Sequence, residues 1–264
     1  MNFGEASAVT PAGDGVWTAE VQPDWDIFGV SNGGYLMAIG ARAMSGSSQG
    51  RRPVSLTAHF LRPLSAGPVE VAVARLKTGR TFSTLRATIA ATSDSMALLG
   101  SFAEPGALRT EDLYVSARPP DLPPPEECPR ALPAPDGPLP PPLVGQFEER
   151  IHPDDAGPFQ GRPSGVGRVR GWFRLHDREP IDAFTLLLVA DAFPPAVFNA
   201  DLPLAWTPTL EMTTQVRAVP AEGWLRCRFS TRFVSGGLLE EDGEIWDESG
   251  RLVAISRQLA LVPR

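Results

Sequence analysis

One acidic residue stands out because it lies in an apolar segment, where an ionised side chain is costly. Asp191 follows Leu187 and Leu188 by four and three residues, so in a helix the three side chains share one face. A carboxylate buried beside leucines is costly unless it is hydrogen-bonded or its pKa rises, so Asp191 either has polar partners or does chemistry. A simple cap or salt bridge is less favoured, because the helix dipole opposes an acid near a helix C-terminus.

A second unusual feature is a group of three glycines, Gly33, Gly34 and Gly40, within a segment of helical patterning. Each lowers the helix propensity by about 1 kcal/mol relative to alanine. Such a cost is expected where another backbone or a ligand comes close to the helix. Ser31 or Asn32 can cap its start.

The composition argues against several classes of protein. The 264 residues carry a net charge of −7, which argues against a nucleic-acid partner. Cys128 and Cys227 provide neither a disulfide framework nor zinc-type spacing, so we expect no metal site and a cytoplasmic location. No basic start precedes an apolar core, and no apolar run approaches the ~20 residues of a membrane span. We therefore expect neither secretion nor membrane insertion.

Apolar periodicity predicts the same order of elements twice, which indicates an internal duplication. The first half is predicted to contain a strand over 15–22, a helix over 33–44 and strands over 54–61, 69–76, 81–91 and 96–103. The second half is predicted to contain a strand over 169–176, a helix over 181–192 and strands over 209–218, 223–229, 238–246 and 252–262. Because 15 of the 28 prolines lie between positions 119 and 163, the intervening segment reads as a linker. The predicted organisation is an N-terminal unit over 1–105, a proline-rich linker over 106–164 and a C-terminal unit over 165–264.

The duplicated pattern and three local motifs resemble the type II acyl-CoA thioesterases. The motifs are FGVSNGGYL (Phe28–Leu36), AHFLRP (Ala58–Pro63) and GRTFSTLR (Gly79–Arg86). The resemblance covers both halves and leaves out the proline-rich segment and the termini. It implies an α+β double hot-dog fold, in which each of two tandem units wraps an antiparallel sheet around a central helix.

The resemblance also implies a catalytic set that holds and activates a water molecule. In that family, an Asp on the second helix, a Thr or Ser opening the next strand and a Gln in the last strand form the set. The matching positions in this chain are Asp191, Thr209 and Gln258. Ser256 and Ala260, which flank Gln258 on its strand face, are small enough to leave room for a ligand.

One departure from the family pattern affects the hydroxyl position. Family members tend to carry an Asp-His pair after the hydroxyl residue, whereas this chain has Glu211 and Met212. Thr207 and Thr213 therefore stay open as alternatives to Thr209.

A carboxylate acting on water fits this sequence better than a covalent mechanism. The three histidines, His59, His152 and His176, are not accompanied by a nucleophile signature. Asp191 is the preferred base. Asp26, which resembles the loop acid of single hot-dog thioesterases, is the alternative base, and Glu211 would come next.

The start of the first helix is the predicted site for the thioester carbonyl. Backbone N–H groups around Asn32, Gly33 and Gly34 have no partners within the helix, and the helix dipole points there. The first half would then polarise the carbonyl while the second half delivers the water. By resemblance the substrate is an acyl group on CoA, and no cofactor is required.

The sequence leaves two other functions open. A non-catalytic acyl-thioester binder would bind acyl-CoA without hydrolysing it. An enoyl-thioester hydratase on the same fold needs a histidine beside its acid, and neither predicted helix contains one. The chain has both units that the fold requires, so either a monomer or a homo-oligomer formed through the sheets is compatible with the sequence.

Overall fold

The computed structural model describes residues 1–108, 114–133, 140–176, 179–202 and 204–262. The predicted helix and strands of the first half are confirmed, with bounds shifted by one or two residues. The elements of this half are α1 (Phe3–Ala6), β1 (Thr10–Gly13), β2 (Val16–Val21), β3 (Asp26–Ile27), β4 (Val30–Ser31), α2 (Gly33–Gly46), β5 (Arg52–Phe60), β6 (Gly67–Thr78), β7 (Phe82–Ala90) and β8 (Asp94–Ala103).

The second half repeats the order and adds a strand before it. Its elements are β9 (Phe147–Ile151), β10 (Arg168–Leu175), α3 (Thr185–Val189), β11 (Thr209–Val216), β12 (Leu225–Ser230), β13 (Val234–Ser235), β14 (Leu238–Asp247) and β15 (Leu252–Leu261).

The strands of both halves form one continuous antiparallel sheet. Its order is β1-β2-β6-β7-β8-β5-β11-β15-β14-β12-β10-β9, with β13 beside β14 and with β3 and β4 paired separately. The halves join where β5 meets β11, and there Thr57 pairs with Thr213. Outward from this joint, β8, β7, β6 and β2 mirror β15, β14, β12 and β10. This correspondence confirms the predicted duplication and the double hot-dog fold.

The central helix of the first unit is α2, which is buried along most of its length. Asn32 caps it, because its Oδ1 accepts a hydrogen bond from the backbone N–H of Tyr35 at 2.9 Å. The choice between Ser31 and Asn32 as the cap is thereby settled. No helix in the described part of the chain combines the length and apolar character needed to cross a membrane.

The second helix, α3, has only five residues, although the sequence predicts a helix over 181–192. Before it, Asp182 Oδ1 accepts hydrogen bonds from two backbone N–H groups at 2.7 and 2.9 Å, which turns the chain into the helix. After it, the N–H of Asp191 donates to Leu188 O at 3.0 Å, a tighter three-residue turn. The predicted length is wrong because these local hydrogen bonds limit the helix at both ends.

Part of the predicted linker is a strand. β9 pairs antiparallel with β10 and forms the outer edge of the sheet, where composition alone predicts irregular structure. Phe147, Glu149 and Ile151 alternate on its inward face and are buried. The prolines that suggest a linker flank this strand and do not enter it.

The two helices lie side by side at the joint between the units. A Cβ atom built on Gly34 would be 2.5 Å from the carbonyl oxygen of Leu187 and 3.0 Å from the Cα of Leu188. At Gly34, the close approach predicted from the glycines of α2 is therefore an approach of α3 backbone, whereas Gly40 makes room for the side chain of Leu98. Gly34 permits it because it has no side chain.

We predict that Gly34→Ala separates α2 from α3 and lowers the free energy of unfolding by about 1–3 kcal/mol, as expected for overpacking. Urea unfolding of the purified chain measures this change. Gly13→Ala is the matched control, since a Cβ there meets its nearest neighbour at 4.0 Å. Equal stability of the two variants would show that the helices are not in tight contact.

Candidate active site

Asp191 lies at the N-terminus of α2, although it belongs to the other unit. The side-chain amide of Asn32 donates to Asp191 Oδ2 at 2.9 Å and to its backbone oxygen at 2.7 Å. The backbone N–H of Gly34 donates to the same Oδ2 at 2.9 Å. The carboxylate thus occupies the anion site that a helix N-terminus provides.

The environment of Asp191 raises the basicity of its carboxyl group. Burial raises its pKa to about 6, and hydrogen bonds from the backbone N–H groups of Gly34 and Gly33 and from Asn32 partly oppose this rise. At neutral pH the group is therefore ionised, and it is a stronger base than an exposed aspartate. This combination suits a general base.

The two polar partners implied by the resemblance lie on neighbouring strands of the second unit. Thr209 opens β11, and its hydroxyl donates to Gln258 Oε1 on β15 over a long 3.5 Å. Of the alternative threonines, Thr213 contacts the Thr57 hydroxyl at the joint, 2.8 Å away. Thr207 donates to the carbonyl of Ala205, two residues earlier in the chain. Thr209 is the threonine that reaches Gln258.

A buried acid that the sequence reasoning missed lies next to this pair. Glu241 on β14 is opposite Gln258 and accepts a hydrogen bond from its side-chain Nε2 at 3.3 Å. The backbone N–H of Ala196 donates to the other oxygen of Glu241 at 2.5 Å. Glu241 thereby holds the amide of Gln258 with its nitrogen towards β14 and its oxygen towards Thr209. The sequence does indicate that Glu241 is buried, because strand alternation puts it on the same face as the apolar Leu239.

Burial also raises the pKa of Glu241, to about 8; the Ala196 N–H opposes the rise and the charge of Asp191 adds to it. Two acids with raised pKa values therefore lie close enough to interact. Only one of them, Asp191, is mainly ionised at neutral pH.

These groups line one cavity of about 620 Å³ between the two units. Its walls contain Asn32, Gly33, Asp191, Thr209, Glu241 and Gln258, and are otherwise mostly apolar. At the wall, the rings of Phe28 from the first unit and Trp206 from the second meet edge to face, with centroids 5.7 Å apart. A cavity of this size and character fits a small organic ligand with an apolar part.

The structure separates the alternative bases from this cavity. The carboxylate of Asp26 accepts a hydrogen bond from the N–H of Gly29 at 2.8 Å within its own turn. Glu211 accepts one from the Thr213 hydroxyl at 3.4 Å. Neither side chain lines the cavity, and none of the three histidines does.

The described residues contain no group of three or more His, Cys, Asp or Glu side chains placed to hold a metal ion.

Comparison with known proteins gives consistent matches over both halves. Residues 21–103 match a family model described as the acyl-CoA thioesterase N-terminal domain, and residues 125–262 match the acyl-CoA thioesterase C-terminal domain. The second match begins inside the segment predicted as a linker and includes β9.

Individual relatives agree with these models. A crystal structure of a presumed thioesterase II from Thermobifida fusca is 32% identical, with a TM-score of 0.88 over 99% of this chain and 97% of that chain. A hot-dog protein of unknown function from Alicyclobacillus acidocaldarius is 21% identical, with a TM-score of 0.83 over 99% of this chain and 98% of that chain, which supports the fold alone. An uncharacterised protein of Mycobacterium tuberculosis is 29% identical over 94% of this chain and 91% of its own length.

The raised pKa of Glu241 predicts a pH-dependent effect on stability. In the unfolded chain a glutamate ionises near pH ~4.3, whereas Glu241 in the fold does so near pH 8. Between these values the folded state binds more protons, so this group makes stability fall as pH rises. Relative to the native chain, Glu241→Gln should therefore become progressively more stable from pH 5 to pH 8. Urea unfolding across this range measures the difference, with the exposed Glu222→Gln as control; parallel curves would contradict the assignment.

Proposed function

The chain belongs to the acyl-CoA thioesterase family, and from that premise we propose that it hydrolyses fatty acyl-CoA to a free fatty acid and CoA. The observation that carries this proposal is the Asp191 carboxylate, basic and ionised, set in the wall of a mostly apolar cavity. The cavity would take the acyl chain, and the carboxylate would act on water beside the thioester.

In the proposed mechanism, a water molecule is held by Asp191, Thr209 and Gln258. The bonds from Asn32 and Gly34 engage Oδ2 of Asp191, so Oδ1 is the oxygen proposed to accept the proton of the water. The hydroxide adds to the carbonyl carbon and forms a tetrahedral intermediate. Its collapse breaks the carbon–sulfur bond, and the departing thiolate takes the proton from Asp191. The reaction balances in atoms and charge, and it needs no cofactor.

The role predicted for the start of α2 takes a more specific form in this proposal. Gly34 and Asn32 donate to Asp191, so in the resting site they hold the base and not a carbonyl. When Asp191 takes the proton, negative charge moves from its carboxylate to the carbonyl oxygen. The N-terminus of α2, including the cavity-lining Gly33, can then stabilise that charge in its new position. The same positive helix end would stabilise the carboxylate of Asp191 before the reaction and the carbonyl oxyanion during it.

The other candidate functions are less well supported. A hydratase needs a histidine beside its acid, and none of His59, His152 and His176 lines the cavity. A non-catalytic binder would use the same cavity, and release of thiol from acyl-CoA distinguishes a hydrolase from it.

We predict that Asp191→Asn lowers kcat/KM for acyl-CoA by about 10²–10⁴, the usual contribution of a general base. For the native chain, kcat/KM should fall about tenfold per pH unit below pH 6, as the carboxylate is protonated. A thiol-release assay over a series of acyl chain lengths measures both, with Asp26→Asn as a control that stays near native activity. Acyl-CoA binding without release of thiol at any chain length would favour the binder.

We further predict that Thr209→Val lowers kcat by about tenfold, because the water loses one of its hydrogen-bonding partners. Thr213→Val makes the same change at the joint, outside the cavity, and should leave kcat unaltered. The same thiol-release assay compares the two. If Thr213→Val were the slower enzyme, the hydroxyl would have been assigned to the wrong threonine.

A further inference from the structure

A third buried acid lines the cavity, and the proposed hydrolysis makes no use of it. Glu149 lies on the inward face of β9 between Phe147 and Ile151, and 0% of its surface is exposed. Within the described part of the chain, neither oxygen of its carboxyl group has a hydrogen-bond partner. Glu149 nevertheless contributes to the wall of the cavity that contains Asp191.

An unpartnered buried carboxyl group destabilises the fold. A buried polar group left without a hydrogen bond incurs its full desolvation cost with nothing to offset it. Burial raises the pKa of Glu149 to about 8, so at neutral pH the group is mainly a neutral carboxylic acid. In that form it offers one O–H donor and one carbonyl acceptor, and both are unused. The fold would be more stable with an apolar residue of similar shape at this position, unless a ligand supplies the missing hydrogen-bond partner.

The position of Glu149 separates it from the groups assigned to hydrolysis. β9 is the outer strand of the sheet, and β10, β12 and β14 lie between it and β15, which carries Gln258. Four steps between neighbouring strands correspond to roughly 19 Å along the curved sheet. A ligand group that meets Glu149 therefore contacts a different part of the cavity wall from the part that carries Gln258.

The surroundings of Glu149 define the chemistry of that group. Most of the cavity wall is apolar, and it includes Ile151 on the same strand, Leu143 and Val144 just before that strand, and Phe229 on β12. The buried thiol of Cys227 on β12 lies close enough to interact with Glu149, since burial first and then the charge of Glu149 raise the pKa of this thiol. A neutral acid in an apolar wall best complements a neutral group that both donates and accepts hydrogen bonds. An alcohol has this property, whereas a second carboxyl group would bring another costly charge.

We propose that Glu149 forms a subsite for a hydroxyl group on the distal part of the acyl chain, so that hydroxyacyl thioesters are the preferred substrate class. This inference rests on the proposed function, because it names the substrate of the same cavity. The hydroxyl would donate to the carbonyl oxygen of Glu149 and accept from its O–H. The remaining acyl carbons would lie along the apolar wall between Glu149 and Asp191.

The test compares acyl-CoA substrates that differ only in one hydroxyl group. The full chain is assayed for thiol release with octanoyl-, dodecanoyl- and hexadecanoyl-CoA and with the ω-hydroxy and β-hydroxy form of each. At the chain length that spans the cavity, the ω-hydroxy substrate should have a kcat/KM about tenfold above that of the unsubstituted one, as expected for a net hydrogen bond. The β-hydroxy group lies near the thioester and should give no such preference.

Two variants assign the preference to Glu149. Glu149→Leu should remove the preference for the ω-hydroxy substrate and keep hydrolysis of the unsubstituted chain. Glu149→Gln, which still donates and accepts, should retain part of the preference. Both should unfold at urea concentrations at or above that of the native chain at pH 8, because each removes a costly buried acid.

The experiment distinguishes failure of the hydroxyl subsite from failure of the proposed hydrolase function. Hydrolysis of all substrates without a preference for the ω-hydroxy group overturns the subsite, as does a preference that survives in Glu149→Leu. A folded Glu149→Leu chain that loses activity on every substrate also overturns it, because the role would then be structural. If no acyl-CoA is hydrolysed, the hydrolase proposal fails, and calorimetric binding of ω-hydroxy and unsubstituted acyl-CoA still decides for or against the subsite.

Discussion

The site depends on the absence of a side chain at Gly34. Its Cα faces the carbonyl of Leu187, and a methyl group there would be 2.5 Å from that oxygen. The resulting contact between α2 and α3 brings Asp191 of one unit to the helix N-terminus of the other. Neither unit contains both the acid and the donors that hold it. The packing of two helical segments is therefore also the assembly of the proposed catalytic group.

The sequence indicates the candidate site through residues that lower local stability. Asp191 in an apolar segment and two glycines of α2, Gly33 and Gly34, are costly residues, and all three lie where the units meet. Apolar periodicity also predicted the repeated strands and their duplication, because alternation along a strand is a local property. The roles proposed for Thr209 and Gln258 come from the family resemblance, because their residue types alone do not suggest them.

Other features depend on contacts that a single sequence does not display. Glu241 became significant only through the register that sets it opposite Gln258. Glu149 was missed because the surrounding prolines predict irregular structure where the five-residue β9 forms. The apolar Phe147 and Ile151, two residues to either side, share its inward face. The sequence predicts too long an α3 because it does not show the backbone hydrogen bonds that the Asp182 side chain accepts before the helix or the tight turn at Asp191 after it. In each case the deciding interaction is absent from the apolar pattern.

The antiparallel joint between β5 and β11 has a consequence for how the protein reaches its active form. Thr57 and Thr213, which pair there, are 156 positions apart in the chain. Pairing over so long a separation requires closing a large loop, and such contacts form slowly. Each unit can gain most of its local strand pairs before this joint closes. The site would then arise in the last stage of folding, so a growing chain acquires its complete cavity only after nearly all of it has been synthesised.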